Sequence, residues 1–128
     1  MGSDGFLPEE IESRLATADA LLPVIVQEAS SHEVLMLAWM NRQALMLSIT
    51  TGSATYWSRS RNELWIKGKT SGDYLEIFEV CVNCEQNSLL YRVKPRGKGA
   101  CHTKNENGTP RSGCYYRVIK NTDELKFI

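Results

Sequence analysis

Short apolar segments of strand length, separated by polar turns, recur along most of this 128-residue chain. They lie at residues 24–26, 34–39, 55–58, 63–67, 74–82, 88–93 and 115–119. Segments this short, joined by polar turns, are typical of antiparallel strands. They predict an α+β fold with a mostly antiparallel, curved sheet.

Two helices are predicted beside these strands. Residues 8–19 read as a short N-terminal helix, because Pro8 suits a first turn and Ile11 and Leu15 share one face. A central helix follows Asn41, whose side chain can cap it, and ends at Gly52, which tolerates a left-handed conformation. We therefore expect a helical appendage over residues 1–20 and a single domain over residues 21–128.

The overall charge is balanced, with 15 Lys and Arg against 15 Asp and Glu. This balance argues against a uniformly basic nucleic-acid binder. No apolar run approaches the ~18 residues that cross a bilayer, and residues 1–10 do not resemble a signal peptide. We expect a cytoplasmic protein that associates with neither nucleic acid nor membranes.

The charge is unevenly distributed along the chain. Residues 92–104 contain five basic side chains and no acidic one, and most of the charged side chains in residues 58–69 are also basic. Small residues between these charges let backbone N–H groups approach an anion that Arg and Lys attract. Both segments predict a phosphorylated ligand.

The four cysteines are expected to be reduced in the cytoplasm, and therefore to be metal ligands, catalytic groups or buried fillers. Cys81 and Cys84 face opposite sides if one strand runs through both, which favours a packing role for Cys81. Cys84, Cys101 and Cys114 would leave one position of a tetrahedral zinc open, as in catalytic sites. The alternative is a closed structural site that includes Cys81. His102 is the candidate general acid or base beside this group.

Several motifs in order resemble those of the phosphoribosyl-AMP cyclohydrolase family of histidine biosynthesis. They are residues 34–42 (VLMLAWMNR), 56–61 (YWSRSR) and 64–72 (LWIKGKTSG), Cys84, residues 100–103 (ACHT) and residues 114–117 (CYYR). The resemblance runs from about Leu22 to Arg117 and makes the single domain cyclohydrolase-like.

The resemblance implies a hydrolase that opens the adenine ring of phosphoribosyl-AMP at the N1–C6 bond. It implies an intertwined homodimer that shares zinc sites, with Cys84, Cys101 and Cys114 as the zinc ligands and His102 in proton transfer. The substrate-binding residues that it implies are Ser58, Arg59, Ser60, Arg61, Trp65, Lys67, Thr70 and Ser71. The two segments around Ser58 and Lys67 would hold the two phosphate-bearing ends of the nucleotide, with Trp65 beside the base.

Three departures from the family pattern point to a diverged member. The family's Asp-Cys-Asp-x-Asp, which holds magnesium, reads here as Asn83, Cys84, Glu85, Gln86 and Asn87. Magnesium prefers anionic oxygen, so Asn83, Glu85 and Asn87 predict a weakened or absent magnesium site. The second departure is residues 104–110, which lengthen the family's compact turn between Cys101 and Cys114 and border the expected active site. The third is Lys69, where the family's segment usually carries Glu.

Two alternatives to this activity remain open on the sequence. One is a paralogous zinc hydrolase that acts on a different purine-like or phosphorylated substrate. The other is a non-catalytic, zinc-stabilised dimer that binds a nucleotide, although an open zinc position has no use in a binding module.

Overall fold

The computed structural model describes residues 7–128, which form two helices and eight strands. The helices are α1 (Glu9–Arg14) and α2 (Arg42–Thr51). The strands are β1 (Leu22–Glu28), β2 (Val34–Met40), β3 (Thr55–Ser58), β4 (Glu63–Ile66), β5 (Leu75–Val82), β6 (Leu89–Pro95), β7 (Arg117–Asn121) and β8 (Glu124–Phe127). This content confirms the predicted α+β class.

The largest sheet has four strands in the order β2-β1-β6-β5. Strands β1 and β2 form a hairpin across residues 29–33 and pair in antiparallel register. Strands β5 and β6 also pair antiparallel, whereas β1 and β6 run parallel. The sheet is therefore mixed, while β3–β4 and β7–β8 are separate antiparallel pairs.

One face of the four-stranded sheet forms the core. Val24 lies opposite Ala38 on β2 and Leu89 on β6, and all three side chains are buried. The same core cluster includes Leu45 from α2 and Tyr56 from β3. The opposite face carries exposed apolar side chains, including Ile25, Leu37 and Phe78.

Helix α2 begins and ends where the sequence predicts. The side chain of Asn41 accepts a hydrogen bond from the Ala44 amide at 2.9 Å, and Gly52 has a φ of 77°. The buried Ser48 hydroxyl joins the helix to β3, because it accepts from the Thr55 amide at 2.9 Å and lies 3.0 Å from the Thr55 carbonyl oxygen. These contacts fix the start of β3, from which the candidate site extends.

Several boundaries differ from the prediction, among them those of α1 and β7. Helix α1 ends at Arg14, so residues 15–19 are not helical, although Ile11 and Leu15 are buried as their spacing indicates. The strand predicted at residues 115–119 begins at Arg117, and an unpredicted strand, β8, pairs with it. Part of the predicted N-terminal appendage, residues 1–6, lies outside the described residues. None of the helices in residues 7–128 has the length and hydropathy needed to cross a membrane.

Candidate active site

The side chains of Cys101 and Cys114 lie near each other at the two ends of a loop, since each thiol affects the pKa of the other. Backbone hydrogen bonds bring these ends together. The Cys101 amide donates to the Arg111 carbonyl at 3.1 Å, and the Cys114 amide donates to the Leu35 carbonyl at 2.6 Å. The pair is thus held against the start of β2.

The environment separates the pKa values of the two thiols. Burial alone would raise the pKa of Cys101, but hydrogen bonds from Thr103 and Cys114 and the charge of Arg111 lower it overall. Burial of the Cys114 sulfur, followed by the negative charge of Cys101, raises the pKa of Cys114 to about 11, although the residue as a whole is exposed. Cys101 is therefore the thiol that ionises more readily.

Lys67 places a positive charge near this pair. The residue is 6% exposed, and its amide donates to the Ala54 carbonyl at 3.1 Å. Burial lowers the pKa of Lys67, while the charges of Asp73, Cys114 and Cys101 oppose that shift. A buried cation facing two thiols favours their anionic form.

Tyr56 brings a second polar group to the same region, although the sequence does not mark it as a site residue. Its ring lies 5.4 Å from Trp65 and 6.0 Å from Tyr91, between ring centroids. Its buried hydroxyl has no hydrogen-bond partner in residues 7–128. Burial, then the charges of Tyr91 and Cys114, hold the pKa of Tyr56 well above its ordinary value.

His102 lies where two clefts meet, because it lines both of them. We call the first the serine–arginine cleft; it has a volume of about 540 Å³. Ser58, Ser60, Arg61, Glu63, Leu64 and Trp65 line it with His102. Trp65 is 41% exposed, so one part of its ring is available to a ligand. Four of the predicted substrate-binding residues are therefore brought together beside the predicted catalytic histidine.

The second, which we call the lysine cleft, has a volume of about 720 Å³. Its lining residues include Ser71, Asp73, Arg96, Lys98, Cys101, His102 and Lys104. Ser71 is the only one of the predicted substrate-binding residues among those that line this cleft. The lysines were part of the basic segment noted in the sequence, but no role had been assigned to them individually.

Three predicted substrate-binding residues line neither cleft: Lys67, which lies near the thiols, Arg59 and Thr70. The guanidinium carbon of Arg59 lies 4.5 Å from the centroid of the Trp39 ring, in a cation–π contact. Thr70 is exposed in the turn closed by the Gly72 amide, which donates to the Gly68 carbonyl at 2.7 Å.

Cys84 is exposed in the turn that follows β5, apart from the pair of thiols. Within residues 7–128 of one chain, no three His, Cys, Asp or Glu side chains come close enough together to hold a metal ion. The chain by itself therefore offers two thiols at one place and a third thiol at another.

The neighbours of Cys84 bond to one another. The Asn83 amide group donates to the Asn87 side-chain oxygen at 2.6 Å, and its own oxygen accepts from the Asn87 backbone amide at 2.9 Å. The Asn87 side-chain nitrogen donates to a carboxylate oxygen of Glu85 at 3.3 Å. These three side chains thus satisfy one another's polar groups.

The arrangement combines a pair of soft sulfur ligands, a buried cation, an exposed imidazole and two polar clefts. Such a set suits hydrolysis of a phosphorylated compound whose reacting atom lies beside His102.

Comparison with known proteins gives a consistent result. The sequence model of a family described as phosphoribosyl-AMP cyclohydrolase matches residues 36–116. The chain is 50% identical over 102 residues to a phosphoribosyl-AMP cyclohydrolase of Hyphomonas neptunium, covering 80% of this chain and 72% of the relative. It is 46% identical over 105 residues to that of Methylococcus capsulatus, covering 82% and 77%. With the protein of the same name from Thermobifida fusca it shares 50% identity over 103 residues, covering 80% and 88%.

Proposed function

Because this chain belongs to the phosphoribosyl-AMP cyclohydrolase family and is thus a hydrolase acting on a cyclic amidine bond, we propose that it opens the adenine ring of phosphoribosyl-AMP in histidine biosynthesis. Water adds at C6, the N1–C6 bond breaks, and N1 receives a proton as C6 becomes a carboxamide. The observation that carries this proposal is the position of His102 at the meeting point of two clefts, next to Cys101.

In this reaction His102 moves the proton. An imidazole can accept a proton from the attacking water and return one to the leaving ring nitrogen at neutral pH. The side chain is exposed between the two clefts, so a ring lying across both brings its reacting carbon within reach.

The serine–arginine cleft would hold the nucleotide end of the substrate. The guanidinium of Arg61 suits a phosphate monoester, and the hydroxyls of Ser58 and Ser60 can donate to it. Trp65 offers an exposed ring face on which adenine can stack.

Zinc fits the donor set around Cys101 and Cys114. Two adjacent thiols are soft ligands, and the cation of Lys67 favours their ionised form. The Tyr56 hydroxyl, which has no partner in residues 7–128, adds a polar group to the same region. The chemistry that zinc supplies when bound is activation of water for attack at neutral pH. The remaining ligand would be Cys84.

A shared site in a homodimer would supply that third ligand. Cys84 is exposed and does not join the pair in a metal-binding group within residues 7–128 of its own chain, so it would serve the pair of a second copy. Apolar surface supports such a contact: Phe78 on β5 is 65% exposed and Ile119 on β7 is 75% exposed. The four free thiols also support a location in the reducing cytoplasm.

Magnesium does not fit the turn around Cys84. One carboxylate and two amides replace three carboxylates, and the oxygens of Asn83 and Asn87 already accept hydrogen bonds within the turn. Magnesium binds through anionic oxygens and retained waters. We therefore assign no step to it and expect turnover without added magnesium.

A second candidate function keeps the hydrolysis and changes the substrate. The long loop of residues 104–110 supports it, because Lys104, Gly108, Thr109 and Pro110 line the lysine cleft directly. A different phosphorylated purine-like compound could then occupy the site.

Incubation of zinc-loaded protein with phosphoribosyl-AMP, followed by ultraviolet absorbance, tests the proposal. We expect ring opening with or without magnesium, and a loss of at least about 100-fold in kcat for His102→Ala. Absence of turnover in both conditions would overturn the proposal and favour the second candidate. His32→Ala is the matched control, because His32 is exposed in the β1–β2 turn and lines neither cleft.

A further inference from the structure

The loop of residues 104–110 is an ordered hairpin that extends from the thiol pair. The Arg111 amide donates to the Thr103 carbonyl at 3.1 Å, and the Asn105 amide donates to the Thr109 carbonyl at 2.8 Å. Lys104 and Pro110 form a β-bridge between these bonds. The hairpin therefore holds Lys104 at a defined place on the wall of the lysine cleft.

The segment that carries Lys98, which also lines this cleft, is held just as closely. The Lys98 amide donates to the Asp73 carboxylate at 2.8 Å. Gly97 packs so tightly that a Cβ there would lie 2.5 Å from the Asp73 Cα, and a Cβ at Gly99 would lie 2.4 Å from the Arg111 carbonyl oxygen. Only glycine fits at these two positions, so the segment that carries Lys98 has little freedom to move.

Two of the four Asp, Arg and Lys side chains that line this cleft already have partners. The guanidinium of Arg96 pairs with Glu76, and the carboxylate of Asp73 accepts the Lys98 backbone amide and faces Lys67. Neither Lys98 nor Lys104 forms an ion pair with any residue in 7–128. Two ammonium groups thus remain available to an anion on the far side of His102 from Arg61.

We propose that Lys98 and Lys104 bind the phosphate of the phosphoribosyl group that phosphoribosyl-AMP carries on N1. This inference rests on the proposed function. With the base beside Trp65 and its reacting edge at His102, a substituent on N1 extends past His102 into the lysine cleft. The phosphate on the adenosine side stays with Arg61, so each phosphate monoester has its own cationic subsite.

The test compares phosphoribosyl-AMP with adenosine monophosphate, which lacks the second phosphoribosyl group, the one on N1. In the double variant Lys98→Ala/Lys104→Ala we expect the KM for phosphoribosyl-AMP to rise at least about tenfold, mainly through lost binding. The inhibition constant of adenosine monophosphate should stay within about twofold, whereas Arg61→Ala should weaken it about tenfold.

The matched control is Lys94→Ala/Lys120→Ala, which removes the same charge from residues that do not line the lysine cleft or the serine–arginine cleft. All four lysines are exposed, so thermal unfolding should be alike in the two double variants. A KM as high in the control as in Lys98→Ala/Lys104→Ala would show a general charge effect and would overturn the subsite.

Calorimetric binding of phosphoribosyl-AMP separates this inference from the proposed function. Suppose that the native protein binds phosphoribosyl-AMP at least about tenfold more tightly than the double variant does, but does not hydrolyse it. The proposed activity would then be wrong, and the proposed lysine subsite would stand. If turnover occurs and the double variant keeps the native KM, the activity stands and the subsite is wrong. Equal weakening of adenosine monophosphate by the lysine variant would also overturn the assignment to the phosphoribosyl end.

Discussion

The thiols of Cys101 and Cys114 lie near each other at the two ends of the loop that joins these residues, and each affects the pKa of the other. Backbone hydrogen bonds to Arg111 and Leu35 hold these two ends in place. For the zinc site that we propose, a preformed pair of thiols would reduce the ordering that metal binding requires.

The shared-site proposal predicts complementation between inactive variants. Cys84→Ser and Cys101→Ser should each lose zinc and activity. Equal amounts mixed under subunit exchange should recover roughly a quarter of native activity, since half of the dimers are mixed and each has one intact site. Steady-state rates and elemental zinc analysis provide the measurement.

Cys81→Ser is the matched control for these variants. Cys81 is partly buried on β5, paired with Leu90, so the variant should retain its zinc. Loss of zinc from Cys81→Ser would instead favour a closed four-cysteine site. A mixture that stays inactive although mass spectrometry detects mixed dimers would rule out the shared site.

Ser48→Ala should lower the free energy of unfolding by about 2 kcal/mol. The substitution removes a buried hydroxyl that contacts the Thr55 amide and carbonyl, and it leaves the Thr55 amide without that acceptor. Urea unfolding followed by fluorescence measures this change. Thr50→Ala is the control: its exposed hydroxyl donates to the Met46 carbonyl, and its loss should cost less than about 0.5 kcal/mol. Equal costs for the two variants would contradict the role assigned to Ser48.

Tyr56→Phe should leave the free energy of unfolding unchanged or raise it by up to about 1 kcal/mol. The variant removes a buried hydroxyl that has no partner in residues 7–128, and a buried unsatisfied hydroxyl is unfavourable. Tyr91→Phe is the comparison, because the Tyr91 hydroxyl lies 3.4 Å from the Met40 sulfur and its loss removes a contact. Thermal unfolding measures both, and a marked loss of stability in Tyr56→Phe would indicate a partner supplied by a metal site or second subunit.

Local signals in the sequence were sufficient for much of the fold. The side-chain cap at Asn41 and the left-handed conformation of Gly52 depend only on residues close to them in sequence. Both ends of α2 could therefore be predicted to the residue from the sequence. The parallel pairing of β1 with β6 joins segments far apart in the chain, and alternation of side chains does not reveal which strands become neighbours. Strand β8 is four residues long and fully exposed, so it lacks the buried alternating pattern that marks a strand.

The candidate site divides in the same way. Cys101, His102 and Cys114 could be selected by chemistry and motif, and Ser58 with Arg61 by their position in a basic segment. Tyr56 could not, because an aromatic residue in a strand reads as core until its hydroxyl is found without a partner. Lys98 and Lys104 stand out from their basic neighbours only once the ion pair of Arg96 with Glu76 is seen.

The attachment of α1 to α2 should depend on pH through Glu12. Two hydrogen bonds from Arg42, at 2.8 and 2.9 Å, hold the pKa of Glu12 below its ordinary value of 4.5. A carboxyl whose pKa is lowered by folding contributes stability above its unfolded pKa and loses that contribution as pH falls through its folded pKa. Glu12→Gln should therefore lower the melting temperature at pH 7, and the difference from the native protein should disappear on acidification below 4.5.

Glu9→Gln removes the same charge from α1 without breaking an ion pair in residues 7–128, and it serves as the control. A melting-temperature difference for Glu12→Gln that persists undiminished in acid would show that the pair contributes through packing and not through charge.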